Sequence, residues 1–278
     1  MIRVAFAPIY HHPLPENHRF PMAKYSLLPQ QLLYEGTVEA PQFFKPAPLS
    51  ESHILRTHDP DYWRQIKELT LPARAQRKIG FPLSQQLVER ERIICQGTLD
   101  CSLHALEHGC ALNIAGGTHH AFADRGEGFC ILNDLVLASH SLLDQGLASR
   151  ILIVDLDVHQ GNGTAALCSD EPRIFTFSMH GANNYPYHKE QSDFDLALPD
   201  FTSGPTYLNL LEDHLEGLLD EIRPHFVFFQ SGVDVLEGDK LGRFSLSLND
   251  CKTRDELVIS NGKENLGRQN IEIAAQNQ

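Results

Sequence analysis

Neither a signal peptide nor a membrane span is expected from the sequence. Its N-terminus, MIRVAFAPIYHHPLP, holds only a brief apolar run broken by proline and histidine. It has no CxxC pair, and its six cysteines are scattered through 278 residues. Without a secretory context such spacing reads as reduced thiols rather than a disulfide framework, so a cytoplasmic protein is expected. Positive charge is also scarce, with 23 Lys and Arg against 36 Asp and Glu for a net −13. That balance argues against direct binding to a nucleic-acid backbone. Internal repeats and low-complexity stretches are absent. The 42% hydrophobic content is that of an ordinary globular chain, and one α/β domain accounts for the length.

Short β-type runs appear at 3–7, 150–158, 173–180 and 225–234, separated by helical patterns near 91–110, 131–146 and 206–221. The order is that of βαβ units. Near-continuous Val, Ile, Leu and Phe runs are what parallel strands covered on both faces look like, and such sheets place ligands at the carboxyl ends of their strands. Residues 11–50, rich in proline and histidine, read as long ordered surface loops.

The stretch ILIVDLDVHQGNG (151–163) runs four apolar residues straight into Asp155, Asp157 and His159. Spacing of two places all three on one side of a strand. Burying two carboxylates there is costly unless a cation or hydrogen-bond donors satisfy them. The alternative is that the aspartates cap a following helix and the histidine is a satisfied loop residue. In NIAGGTHHAFADRGEGFCILND (113–134) a Gly-Gly turn presents His119 beside His120, a natural acid and base pair next to a metal, or else two surface histidines. A third stretch, FVFFQSGVDVLEGDKLG (226–242), again ends an apolar strand with an acid, Asp234, while Asp239 reads as a solvated turn residue.

Taken together, GGTHHAF, EGFCILND, VDLDVHQGNGT, FSMHGANNYPYHKEQSD and QSGVDVLEGDKLG resemble the zinc-dependent histone deacetylase superfamily, with its acetylpolyamine amidohydrolase and acetoin-utilisation relatives, and most of all its compact class IV type. The resemblance runs from the N-terminus to about Ser260. It implies an arginase/deacetylase-like three-layer α/β fold with a central, mostly parallel sheet. The implied activity is zinc-dependent hydrolysis of the amide of acetylated lysine in a protein, or of an acetylated small amine such as a polyamine.

By that resemblance Asp157, His159 and Asp234 are zinc ligands, a mixed set that leaves positions open for water and a carbonyl. Asp155 stands behind His119 and fixes its tautomer, which makes His119 mainly an electrostatic partner. His120 is the base that takes a proton from the attacking water and returns it to the leaving amine. Behind it stands Asn162, a weaker acceptor than the aspartate some relatives use. Gly128 and Phe129 match the tunnel that holds the acyl-lysine stem, with Tyr185 as the facing wall. Asp155, Asp157, His159 and Ser178 are implied contacts of a structural monovalent cation, usually K+. Cys130 reads as a buried structural thiol. Glu16, Glu127 and Glu190 lie in loops that could face a cationic peptide or polyamine, although loop acids are usually just solvated.

One departure stands out. In the family the helix beginning near NDCKTRDELV leads to another apolar strand and a GGGY-like turn whose tyrosine polarises the substrate carbonyl. Here the residues after Ser260 read NGKENLGRQNIEIAAQNQ, and Tyr207 is the last tyrosine. A domain spanning 1–260 that lacks its last strand region is therefore expected, with a disordered tail at 261–278. Truncation or a frameshift near residue 260 explains this, as does a natural short form. Three readings stay open: an active zinc amidohydrolase, an impaired member that binds zinc and an acetylated ligand, and a fragment without function. A binuclear manganese hydrolase of the arginase kind fits the histidine pair and the single DLDVH strand less well.

Overall fold

The computed structural model describes residues 1–264 and 270–274. Among them are eight strands and nine α-helices. In chain order these are β1 (Arg3–Ala5), α1 (Lys24–Tyr34), β2 (Phe43–Phe44), α2 (Glu51–Ile54), α3 (Pro60–Lys67), α4 (Ala73–Ile79), α5 (Gln85–His108), β3 (Cys110–Asn113) and α6 (Asp134–Asp144). There follow β4 (Ile151–Asp155), α7 (Asn162–Cys168), β5 (Ile174–Gly181), β6 (Phe194–Leu198), α8 (Gly204–Ile222), β7 (Phe226–Gln230), α9 (Leu248–Glu264) and β8 (Asn270–Ala274). The strands form one sheet in the order β2-β1-β3-β8-β7-β4-β5-β6, and every neighbouring pair is parallel.

The two central strands explain the layering. Every residue of ILIVD in β4 and FVFFQ in β7 is buried, as a strand covered on both faces requires. In register, Ile153 lies beside Phe228 and Val154 beside Phe229. Ile151, Ile153, Phe226 and Phe228 pack with Cys101 of α5 and Leu135 and Leu142 of α6. Alternate residues Leu152, Val154, Val227 and Phe229 pack with Tyr207, Leu211 and Leu215 of α8 and Val258 of α9. The result is the three-layer α/β arrangement expected. Fully burying one such Leu, Ile or Phe side chain stabilises the fold by about 1.5–3 kcal/mol, so these two faces are the principal apolar stabilisation around the site.

Three expectations need correction. Residues 11–50 are not only surface loops, because α1 lies within them and Phe20, Met22 and Tyr25 are buried in the core. Proline at 21 and at 29 masked this helix, although Pro29 is accommodated inside it. The strand starting near residue 150 stops at Asp155, so Asp157 and His159 lie beyond it in a bend rather than on a continuing strand face. Finally, the sheet does not lack a strand after Ser260. The alternating NIEIA of β8 enters between β3 and β7 and offers backbone partners to both, and α9 runs on to Glu264. A pattern alternating Ile with polar residues is easily passed over when a continuous apolar run is sought. The rest of the expected disordered tail, 265–269 and 275–278, lies outside the described residues.

Candidate active site

Because β4 and β7 are neighbours in a parallel sheet, their carboxyl ends emerge side by side, and Leu156 N–H donates to the carbonyl of Gln230 at 3.1 Å. Two turns follow and are tied to each other: Val158 N–H donates to Asp234 Oδ1 at 3.0 Å. Within the first turn Asp157 N–H donates to Asp155 Oδ1 at 3.1 Å, and His159 N–H donates to Asp157 Oδ1 at 2.9 Å. These bonds fold the chain so that His159 Nδ1 lies 2.9 Å from Asp157 Oδ1 and 3.0 Å from Asp234 Oδ2. All three side chains are buried, and their ligand atoms lie within 4.8 Å of one another. The turn after β7 presses closely on this group. A Cβ on Gly232 would stand 2.6 Å from Asp157 Cα, so only glycine lets the two turns meet.

The electrostatics call for a cation. Burial disfavours charge on His159, yet its contacts with Asp157 and Asp234 raise it to about 10. Burial and the nearby Asp234 charge push Asp157 up to about 6. Two buried carboxylates around one imidazole thus call for positive charge at this spot. Asp157 Oδ2 and His119 Nε2, both buried at the same spot, have no hydrogen-bond partner. An orphaned buried carboxylate oxygen is costly unless a metal or water meets it, and the buried Asp-His-Asp group fits a zinc site.

The histidine pair hangs from the start of α6. Asp134 accepts from Gly117 N–H at 2.8 Å, Thr118 N–H at 2.6 Å and Thr118 Oγ1 at 2.6 Å, which clamps the GGTHH turn. His119 Nδ1 then lies 2.7 Å from Asp155 Oδ2, and His120 Nδ1 lies 2.7 Å from Asn162 Oδ1 at the first turn of α7. The two rings are 4.1 Å apart. Burial opposes charge on both. For His119 the Asp155 and Asp157 charges overcome it and raise the pKa, whereas His120, with His119 and His159 as its charged neighbours, is pushed well below the ordinary value. Protonation is thus favoured on the first member of the pair and disfavoured on the second.

Above these groups opens a cavity of about 400 Å³ lined by His120, His159, Gly128, Phe129 and Tyr185. Gly128 and Phe129 both have positive φ, +51° and +66°. A Cβ on Gly128 would stand 2.6 Å from His120 Cδ2. Phe129 N–H donates to Ile79 O at 2.7 Å, and its ring packs 5.0 Å from Phe20 and 5.2 Å from Phe81. The Tyr185 ring stands nearly perpendicular to His120 at 5.0 Å, and its hydroxyl donates to Glu127 Oε2 at 2.7 Å. Cys130 is buried and its Sγ reaches the Gly128 carbonyl at 3.4 Å. Ser178 is in register with Asp155, while its hydroxyl meets His180 Nδ1 at 3.0 Å.

The family whose description is histone deacetylase domain matches residues 18–270. The chain belongs to the histone deacetylase family. This family member is 30% identical over 264 residues to histone deacetylase 2 of Arabidopsis thaliana, covering 89% of this chain and 66% of the Arabidopsis protein. It is 46% identical over 257 residues to an uncharacterized protein of Picosynechococcus, covering 92% of this chain and 86% of that one. Its fold matches the crystal structure of an HDAC homolog complexed with SAHA, with a TM-score of 0.85 and 24% identity, covering 99% of this chain and 79% of that chain. The HDAC homolog from Aquifex aeolicus matches at 0.82 and 23%, with the same coverage of each chain.

Two further residues shape the site of this histone deacetylase family member without having stood out in its sequence. Asp134 clamps the histidine turn as described. Arg254 of α9 is fully buried and donates to Gly232 O at 2.5 Å, Leu156 O at 3.3 Å and Ser231 Oγ at 2.8 Å, joining the turns that carry Asp157 and Asp234. An arginine among the apolar positions of a helix was the available signal for the second.

Proposed function

We propose that this chain is a zinc-dependent amidohydrolase that removes an acyl group from a lysine-type amine, and that it is of the compact class IV type its motifs resemble. The observation that carries the reading is the convergence of Asp157, His159 and Asp234 beneath a cavity whose inner end is formed by a neutral histidine, His120. Zinc held by those three would supply Lewis acidity toward a water and an amide carbonyl. His120, with its Nδ1 proton directed to Asn162, presents Nε2 as the base for the attacking water and then returns that proton to the leaving amine. His119, whose protonated form the Asp155 charge favours, supports the negative charge that develops on the carbonyl oxygen. Gly128, Phe129 and Tyr185 hold an aliphatic stem between two aromatic walls. A K+ ion at Asp155, Asp157, His159 and Ser178 would stiffen the turn after β4. Among the described residues no helix is long and apolar enough to cross a membrane.

A second reading has its own support. Tyr207 is buried against Phe244 in the α8 layer and does not line the cavity. The Tyr185 hydroxyl is engaged by Glu127. Neither of these two hydroxyls is free to meet a substrate carbonyl, and loss of one preorganised oxyanion donor typically lowers the rate by about 10²–10³, which favours a slow enzyme or a module that binds acylated ligands. Chelation followed by zinc add-back separates the two. Restored acetate release from an acetyl-lysine peptide supports the hydrolase, whereas restored peptide binding without acetate supports the module.

A further inference from the structure

The chain as a whole is strongly acidic, but the mouth of its cavity is not. Four cations line it: Arg19 from the loop before α1, Lys78 from α4, and Lys240 and Arg243 from the segment after Asp234. Among the described residues, no aspartate or glutamate lines the same space. Acids near the mouth are already engaged. Glu127 is shared by Lys78 at 3.1 Å, Arg125 at 3.1 Å and the Tyr185 hydroxyl. Asp200 pairs with Arg243 at 3.2 Å. Asp239 Oδ1 accepts from the backbone N–H of Leu241 and of Gly242, at 2.7 and 2.9 Å. Arg19 and Lys240 have no acidic partner among the described residues, and both are exposed at the rim. The Arg19 guanidinium lies 4.8 Å over the ring of Phe129, the wall that would hold the acyl-lysine stem. Three separate segments have thus brought four cations to one opening in a chain of net charge −13.

Resting on the amidohydrolase reading, we propose that the substrate carries carboxylate next to its acylated lysine, and that Arg19 and Lys240 select it. This rim opposes the cationic peptides and polyamines that the acidic composition and the loop acid Glu127 would favour. An arginine fork above an aromatic face suits a carboxylate in particular. A funnel of one sign also raises the local concentration of the opposite ion, in a manner that salt suppresses.

The test uses the zinc-loaded full chain and fluorescent acetyl-lysine peptides flanked by aspartate, glycine or arginine, read by both anisotropy and acetate release. Free Nε-acetyl-lysine and its carboxamide compete against them, to tell a small-molecule carboxylate from a peptide one. At low ionic strength the aspartate peptide should bind about tenfold more tightly than the arginine peptide, with the gap closing as salt is raised. The double variant Arg19→Glu, Lys240→Glu should reverse the order. Equal binding, absence of binding to all three, or preference for the arginine peptide overturns the proposal. Absence of acetate release from every peptide overturns the amidohydrolase reading instead, and the order of binding still decides this one.

Discussion

His120 Nδ1 lies 2.7 Å from the amide oxygen of Asn162, whereas one residue earlier His119 Nδ1 lies 2.7 Å from a carboxylate oxygen of Asp155. Burial, with His119 and His159 nearby, pushes His120 toward the neutral form, whereas the Asp155 and Asp157 charges overcome burial at His119 and favour its protonated form. In Asn162→Asp a negative charge would favour protonated His120 and raise its pKa by about one unit or more. A base works only when neutral, so the acidic limb of the kcat/KM profile should move to higher pH by the same amount. An unmoved limb would show that Asn162 does not set the basicity of His120.

The metal group makes a stoichiometric prediction. Purified chain dialysed against zinc should hold one ion, and Asp157→Ala, His159→Ala and Asp234→Ala should each hold none, because each removes a ligand from a three-ligand set. His120→Ala should keep its zinc. Elemental analysis checks both statements, and two ions per chain would contradict a mononuclear site.

Arg254 links the two ligand-bearing turns through backbone carbonyls rather than through the ligands themselves. Arg254→Met removes donors from buried acceptors and should cost about 2–4 kcal/mol of stability, on the order expected when buried polar groups lose their partners. Zinc affinity should fall by about 10–100-fold as the turns loosen. Denaturant titration and a competitive zinc chelator measure the two effects, and full affinity at reduced stability would restrict Arg254 to a packing role.

A pH dependence follows from His58, which stands apart from the metal group. Its Nδ1 donates to Phe122 O at 2.9 Å and its Nε2 accepts from Asn133 N–H at 3.0 Å, a pattern only the neutral ring can satisfy. Burial lowers its pKa to about 4. The unfolded chain therefore binds this proton first as pH falls, so the stability His58 contributes above pH 6.5 is lost progressively down to about pH 4, by about 3 kcal/mol. The stability advantage of wild type over His58→Gln should narrow across that window. Parallel curves would contradict the assignment.

Much of this was legible in the sequence for a physical reason. Apolar runs that lead toward Asp155, Asp157 and Asp234 are costly sequences unless the segments after the strands do chemistry, and the segments after β4 and β7 do meet, although β7 itself stops at Gln230, short of Asp234. Other parts were hidden. The four-residue β3 follows directly on α5 and its glycine cap, and α1 contains a proline, so neither carried its usual signal. Asp134 and Arg254 act on backbone groups distant in sequence, Arg254 reaching Leu156 across 98 positions, and a spacing rule has no access to such partners. The basic rim is hidden for the same reason, since it assembles from segments more than 200 residues apart in an acidic chain.

The central claim is that His120 acts as the base beside a metal held by Asp157, His159 and Asp234. Acetate release from an aspartate-flanked acetyl-lysine peptide, by zinc-loaded wild type and by zinc-loaded His120→Ala, tests it most directly. The account predicts measurable release by the wild type and a rate about 10²–10⁴-fold lower in the variant, with zinc content unchanged. Equal rates in the two proteins would contradict it.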